Sequence, residues 1–253
     1  MTEVSSLTGR LLVATPVLAD PNFDRAVVLL LDHDEKGSLG VVLNRPTPVD
    51  VGDILEPWAQ LTGEPNVVFQ GGPVSLDAAL GVAVVPTGHA VPDGGPAEGG
   101  LPGSGLPGGG LPEGGVPEGG APGGAVPEGG PPGADAPSAE DELLDGLAEE
   151  SGADGDGPLG WRRVHGAIGL VDLEAPPELL AAELGSLRIF AGYAGWGPGQ
   201  LEDELSEGAW YVVESEPGDV SSPAPEGLWR AVLRRQRSEL ALVATYPDDP
   251  SLN

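Results

Sequence analysis

The stretch with the most chemical potential is Phe190-Ala-Gly-Tyr-Ala-Gly-Trp-Gly-Pro-Gly-Gln200. It reads as a strand, a glycine-rich turn and the start of a helix. Backbone N–H groups and a helix dipole in that context bind anions. The spacing fits neither G-x-G-x-x-G nor G-x-x-x-x-G-K-[ST], so no nucleotide cofactor is expected. Glu202, Asp203 and Glu204 follow at once and oppose a phosphate. Two readings remain. Trp196 is a packing wedge between strand and helix, or Tyr193 and Trp196 offer ring faces beside a groove for a small molecule or peptide. Gln200 then donates and accepts at the helix start.

Gln70-Gly71-Gly72-Pro73 is a second glycine-dense turn after a strand, and Asn44-Arg45-Pro46 ends another. If the fold gathers these ends, Asn44, Arg45, Gln70 and Gln200 make a polar patch around Trp196. The predicted binding set is those four with Gly71, Gly72, Tyr193 and Trp196. The alternative is that the same polar groups are buried in structural hydrogen bonds. His33 lies in Asp32-His33-Asp34-Glu35, where carboxylates could orient an imidazole. On an exposed hairpin those acids are simply solvated, and neither G-x-S-x-G nor S-x-x-K occurs. No catalytic residue is assigned. Cysteine is absent and the three histidines are scattered, so no metal site is assigned either. Arg230, Arg234 and Arg237 share a helical face, with Arg235 nearby. That stripe could meet nucleic acid, an acidic partner or the chain's own acids, or form an ordinary exposed face.

Positioning these residues requires strands. Leu11–Ala14, Ala26–Leu31, Gly40–Leu43, Val67–Phe69 and Leu80–Val85 read as strands. Several are apolar without alternation, as expected when both faces are covered. Asp34 to Ser38 is a hairpin loop, and Asp50 caps a short helix. Later strands are Trp161–Val164, Ala167–Val171, Leu187–Ala191 and Trp210–Val213. Helices are expected at Pro177–Leu184, Pro198–Glu207 and Gly227–Gln236, punctuated by proline at the start or glycine at an end. Mixed strands and helices argue for an α/β or α+β domain.

Thr87 to Pro158 is different in kind. It holds 23 Gly, 12 Pro and 14 acidic residues, with no aromatic, Lys or Arg. Val91 to Asp135 runs as loose pentads of apolar–Pro–(Gly/Glu)–Gly–Gly, each favouring a turn. Ser138 to Ser151 could form a marginal acidic helix, capped by Ser138 and Asp141. The segment reads as a disordered insert in one domain made of 1–86 and 159–253.

The whole chain of 253 residues carries 40 acidic and 11 basic residues, a net charge of −29. Outside the insert the balance is 26 to 11. Such a surface repels phosphate backbones, so general nucleic-acid binding is not expected. Met1 to Arg10 has no apolar signal-peptide core, and no apolar run nears the roughly 20 residues of a membrane helix. The expectation is a cytoplasmic protein with no membrane association.

Four runs carry a resemblance: LTGRLLVATPVLADPNFDRAVVLLLDHDEKGSLGVVLNRP, VVFQGGPV, RIFAGYAGWGPGQLEDELSEGAWYV and YPDDPSLN. They look like the YqgE/AlgH family of bacterial proteins, over about Leu7–Pro86 and Leu159–Asn253. The resemblance implies a single domain with a strongly bent mixed sheet approaching a pseudo-barrel, flanked by helices. It implies a short connection where this chain has its long insert. It implies no reaction and no catalytic residues, although such proteins carry the label of transcriptional regulator. The reading is a non-catalytic regulatory or binding protein with an unknown protein or small-molecule partner. The competing readings are an enzyme or small-molecule binder acting at 192–200, and a DNA-binding regulator, which the charge opposes.

Overall fold

The computed structural model describes residues 6–18, 20–86, 158–237 and 239–247. The pentad run, the Ser138–Ser151 segment and the rest of the insert as far as residue 157 lie outside them. Ten strands form one strongly curled mixed sheet, a half-barrel. They are β1 (Arg10–Ala14), β2 (Val27–Asp34), β3 (Gly37–Val42), β4 (Pro46–Asp50), β5 (Val67–Gln70), β6 (Val74–Val84), β7 (Trp161–His165), β8 (Ile168–Val171), β9 (Ser186–Trp196) and β10 (Trp210–Glu214). Their order is β10-β1-β2-β3-β9-β6-β8-β7, with β4 paired to β5 and β5 paired in parallel to β9. Strands from both sides of the insert thus share the sheet. The helices are short: α1 (Val51–Ile54), α2 (Gln200–Ser206), α3 (Pro217–Val220), α4 (Leu228–Arg235) and α5 (Leu240–Val243).

The unbroken apolar runs have two covered faces, as their composition requires. Val27, Leu29 and Leu31 of β2 face a core with Leu11, Val13, Val41 and the Leu228, Trp229, Val232 and Leu233 stripe of α4. Val28 and Leu30 face the opposite way, with Leu12, Ala14, Trp196, Leu201 and Trp210. A third cluster gathers Trp58, Val68, Ala83, Trp161, Leu187 and Ile189 at the far side of the sheet.

Strand β9 reaches all three cores because its alternation slips. Leu187 and Ile189 lie in the third, Phe190 and Tyr193 in the first, Ala194 and Trp196 in the second. The slip occurs at Gly192, whose φ of +70° is a conformation that favours glycine. A Cβ there would come within 2.6 Å of the Val74 carbonyl oxygen. The partner strand slips too, between Val74 and Ala79, as a bulge that bends the sheet.

This corrects the expectation of a glycine-rich turn from Gly192. The strand continues through Trp196, pairing Ser38 with Trp196 and Gly40 with Ala194, and only Gly197-Pro198-Gly199 turns. Two other expectations change. Pro177–Leu184 yields a single 3-10 turn at Pro177–Leu179 followed by irregular turns. Leu180 is its only fully buried apolar side chain, too little to hold a longer helix. Strand β4, not foreseen, contains two prolines and so lies at a sheet margin, where missing N–H groups cost nothing.

The local signals behave as expected elsewhere. The Asp50 side chain accepts from Gly52 N at 2.7 Å and caps α1. Asp34 Oδ1 accepts from Lys36 N at 2.7 Å and Gly37 N at 3.2 Å, setting the β2–β3 turn. Among the described residues no helix is long and apolar enough to cross a membrane.

Candidate functional site

The end of β3, the end of β5 and the loop before β2 meet at one place. Gly71 and Gly72 make this possible. They follow β5 and press flat against β9: a Cβ on Gly71 would lie 2.2 Å from Gly192 O, and one on Gly72 2.1 Å from Tyr193 C and O. Gly71 N donates to Ala191 O at 2.9 Å, and Gly71 O accepts from Val42 N at 2.7 Å, tying β3 to the link. One residue earlier, Gln70 N donates to Arg45 O at 2.9 Å. Backbone geometry alone therefore sets Gln70 beside Arg45.

Asn44 supplies the third wall. It is buried; its Oδ1 accepts from Val27 N and its Nδ2 donates to Arg25 O, both at 2.9 Å. Those bonds pin the loop before β2 against the end of β3. Asp20 Oδ1 accepts from Asn22 N at 2.7 Å and turns the same loop. Arg45 donates through Nη2 to Asp24 O and, at 3.5 Å, through Nη1 to Asn44 O.

The result is a cavity of about 80 Å³ lined by Pro21, Asn22, Val42, Arg45, Gln70 and Gly72. That exceeds the space of a single water and falls below that of a drug-sized pocket, so it suits one functional group of a ligand. The side chains of Asn22 and Gln70 are exposed and bond to no other described residue. Burial pushes the Arg45 guanidinium pKa below its ordinary value, partly offset by the Asp24 charge. No carboxylate pairs with Arg45 among the described residues.

Of the eight residues expected to form a site, Arg45, Gln70 and Gly72 line this cavity. Asn44 and Gly71 hold its walls from behind. Tyr193, Trp196 and Gln200 are not in it. Tyr193 is buried in the first core. Trp196 packs between Phe23 and Trp210 and donates its indole N–H to Glu204 Oε2 at 3.0 Å. Its ring therefore offers no face to a ligand. Gln200 is exposed, but its Oε1 accepts from Gly197 N and its Nε2 donates to Glu204 Oε1, each at 3.1 Å. Asn22 was not foreseen; the turn run Asp20-Pro21-Asn22 is its only local signal.

Glu204, read from the sequence only as opposing a phosphate, has a structural role one helical turn after Gln200. Its Oε2 takes the indole N–H of Trp196 and, at 2.8 Å, that of Trp210. Glu204→Ala is expected to cost about 2–4 kcal/mol, because two buried donors lose their acceptor. Glu204→Gln keeps an acceptor oxygen and should recover most of that loss in a denaturant titration.

His33 is not on a solvated hairpin tip. It is buried in β2, because the bulge between Leu30 and Asp32 turns its ring inward. Its Nδ1 lies 2.8 Å from Ser38 Oγ and its Nε2 3.7 Å from Glu202 Oε1. Ser38 is 2% exposed, which closes its hydroxyl to a substrate, so the chain of groups is structural. The arginine stripe is partly committed. Arg235 forms a two-pronged pair with Asp219 and Arg230 donates to Tyr246 O at 2.9 Å.

A second, wider depression of about 380 Å³ lies between the 3-10 turns Glu56–Leu61 and Pro177–Leu179. Its two carboxylates, Glu56 and Glu178, are exposed and solvated, and nothing converges there as Arg45, Gln70 and Asn22 do.

Comparison with known proteins agrees with this architecture. The profile described as AlgH-like matches residues 11–100 and 150–241. A UPF0301 protein of Streptomyces avermitilis is 67% identical over all of this chain and 98% of its own length. A UPF0301 protein of Thermobifida fusca is 38% identical over 98% of this chain and 96% of its own. Among solved structures, the protein DIP2367 of Corynebacterium diphtheriae aligns with a TM-score of 0.65 and 26% identity, over 94% of this chain and 92% of that one. The AlgH protein of Pseudomonas aeruginosa, at 20% identity and a TM-score of 0.51 over 98% of both chains, shares the fold. The profile match and the sequence relatives place this chain in the AlgH-like, UPF0301 family.

Proposed function

We propose that the protein is a cytoplasmic, non-catalytic binding protein that serves regulation by capturing a ligand or partner at the Arg45 cavity. The observation that carries this reading is convergence. Asn22, Arg45 and Gln70 come from three separate segments and line one hollow. Arg45 is half-buried, and Asn22 and Gln70 stand exposed at the mouth of the hollow. The cavity lining contains no Ser, His, Lys, Asp or Glu, hence no nucleophile and no general base. A lining of one guanidinium and two amides suits binding.

The test is capture by the native protein, read by mass spectrometry after mild purification, in the wild type, Arg45→Met and Gln70→Ala. The wild type is expected to carry a species that both variants lose by tenfold or more. Their unfolding midpoints should stay within a few degrees, because both side chains sit at the rim of the fold. Variants that retain everything the wild type captures would overturn the reading.

A further inference from the structure

We propose that what enters the Arg45 cavity is a terminal carboxylate, and that Arg45 grips it with Gln70 and Asn22 on either side. This rests on the reading of that cavity as the binding site.

The argument begins with the charge. Arg45 is half-buried and burial disfavours its cationic form. Its Nη2 donates to the Asp24 carbonyl and its Nη1, weakly, to that of Asn44. A guanidinium has five N–H donors, so most of the fork stays unused. Among the described residues no carboxylate forms a direct ion pair with it, although the Asp24 charge acts on it from nearby. The group that answers a free guanidinium edge is a planar anion with two oxygens, bound by parallel charge-assisted bonds.

The neighbours sharpen the class. Gln70 and Asn22 line the same hollow, and their amides can donate without adding charge. The lining holds a single cation, so a monoanion is opposed less than a dianionic phosphate. The Asp24 charge beside Arg45 and the net −29 of the chain press the same way. The volume of about 80 Å³ admits a carboxylate and one or two carbons, so the remainder of the ligand lies outside. Pro21 and Val42 give the carbon next to the carboxylate an apolar wall.

A carboxylate of this kind comes from a small organic acid or from the C-terminus of a peptide. Three probes separate these at constant ionic strength set with chloride: acetate, N-acetylglycylglycine and neutral N-acetylglycinamide. The readout is NMR of the side-chain amide signals of Gln70 and Asn22 and the Nε–H of Arg45. Both carboxylates are expected to shift these signals saturably, and the neutral amide is not. Arg45→Met should abolish the shifts while the backbone spectrum keeps its dispersion. Arg45→Lys, which keeps charge but loses the fork, should weaken them about tenfold. Tighter binding of N-acetylglycylglycine than of acetate identifies a peptide end, and equal binding a small acid; either supports the proposal. Saturable binding of N-acetylglycinamide as strong as that of the carboxylates would overturn the carboxylate and leave the cavity as a binding site. No shift with any of the three would overturn the carboxylate, and loss of capture in the Arg45→Met purification decides the cavity separately.

Discussion

Trp196→Ala is expected to lower stability by about 3–5 kcal/mol, the range for deleting a buried tryptophan ring. The ring is 2% exposed and sits at the centre of an aromatic triad. Phe23 stacks on it with centroids 6.2 Å apart, and Trp210 meets it edge-on at 6.1 Å. Alanine would leave a void bounded by β1, β2 and α2, whose backbone cannot collapse into it. It would also remove one of the two indole donors that hold Glu204. At roughly 2–4 °C per kcal/mol for a domain of this size, the midpoint should fall by roughly 6–20 °C. Capture by the remaining folded protein should match the wild type, because Trp196 does not line the Arg45 cavity. A midpoint within 3 °C of the wild type would show that the ring is not packed. Full stability with lost capture would move the site to Trp196.

That outcome bears on what was legible in the chain. Ala26–Leu31 could be read as a strand because six successive apolar residues leave no polar face for a surface helix or loop. Asp34 and Asp50 could be read because their short side chains act on N–H groups two residues on. Those are local causes. The role of Trp196 is not local: an indole between glycines has the same near neighbours whether it anchors a ligand or fills a core. Phe23 and Trp210 decide, and both are distant in sequence. The same holds for the strand through Gly192 and Gly195. Glycine signals a turn when nothing lies beside it and a close approach when β3, β6 and the Gly71–Gly72 link press from either side. Arg45 and Gln70 could be named as polar residues at strand ends. That they meet, and meet Asn22, follows from the Gln70 N to Arg45 O bond and the Asn44 bridge, which belong to the assembled sheet.

Gly72→Ala should be the most damaging single-methyl change near the site. Its Cβ would stand 2.1 Å from both the carbonyl carbon and oxygen of Tyr193, and 2.4 Å from Ala194 N. These are backbone atoms of a strand bonded on both sides, so no rotamer change relieves the contact. Either the link lifts from β9 or β9 shifts against β3. Lifting breaks the bonds of Gly71 to Ala191 and Val42, and shifting spoils the packing of Tyr193 and Trp196. The cost is expected to be about 3 kcal/mol, the upper part of the range for overpacking. The proper control is Gly199→Ala. Gly199 has a φ of +76° and nothing within 4 Å of an added Cβ, so it bears only the left-handed strain of about 1–2 kcal/mol. Gly72 takes the opposite test: its cost is steric, not conformational. The two variants should therefore differ in what else they lose. Gly199→Ala should unfold slightly earlier and still shift Gln70 on titration with acetate. Gly72→Ala should unfold much earlier and lose that response even below its midpoint, since the residue that moves is a wall of the cavity. Equal stability losses in the two, with the acetate response intact in both, would mean that the link does not lie flat on β9 and that the cavity beside Arg45 is held open by something else.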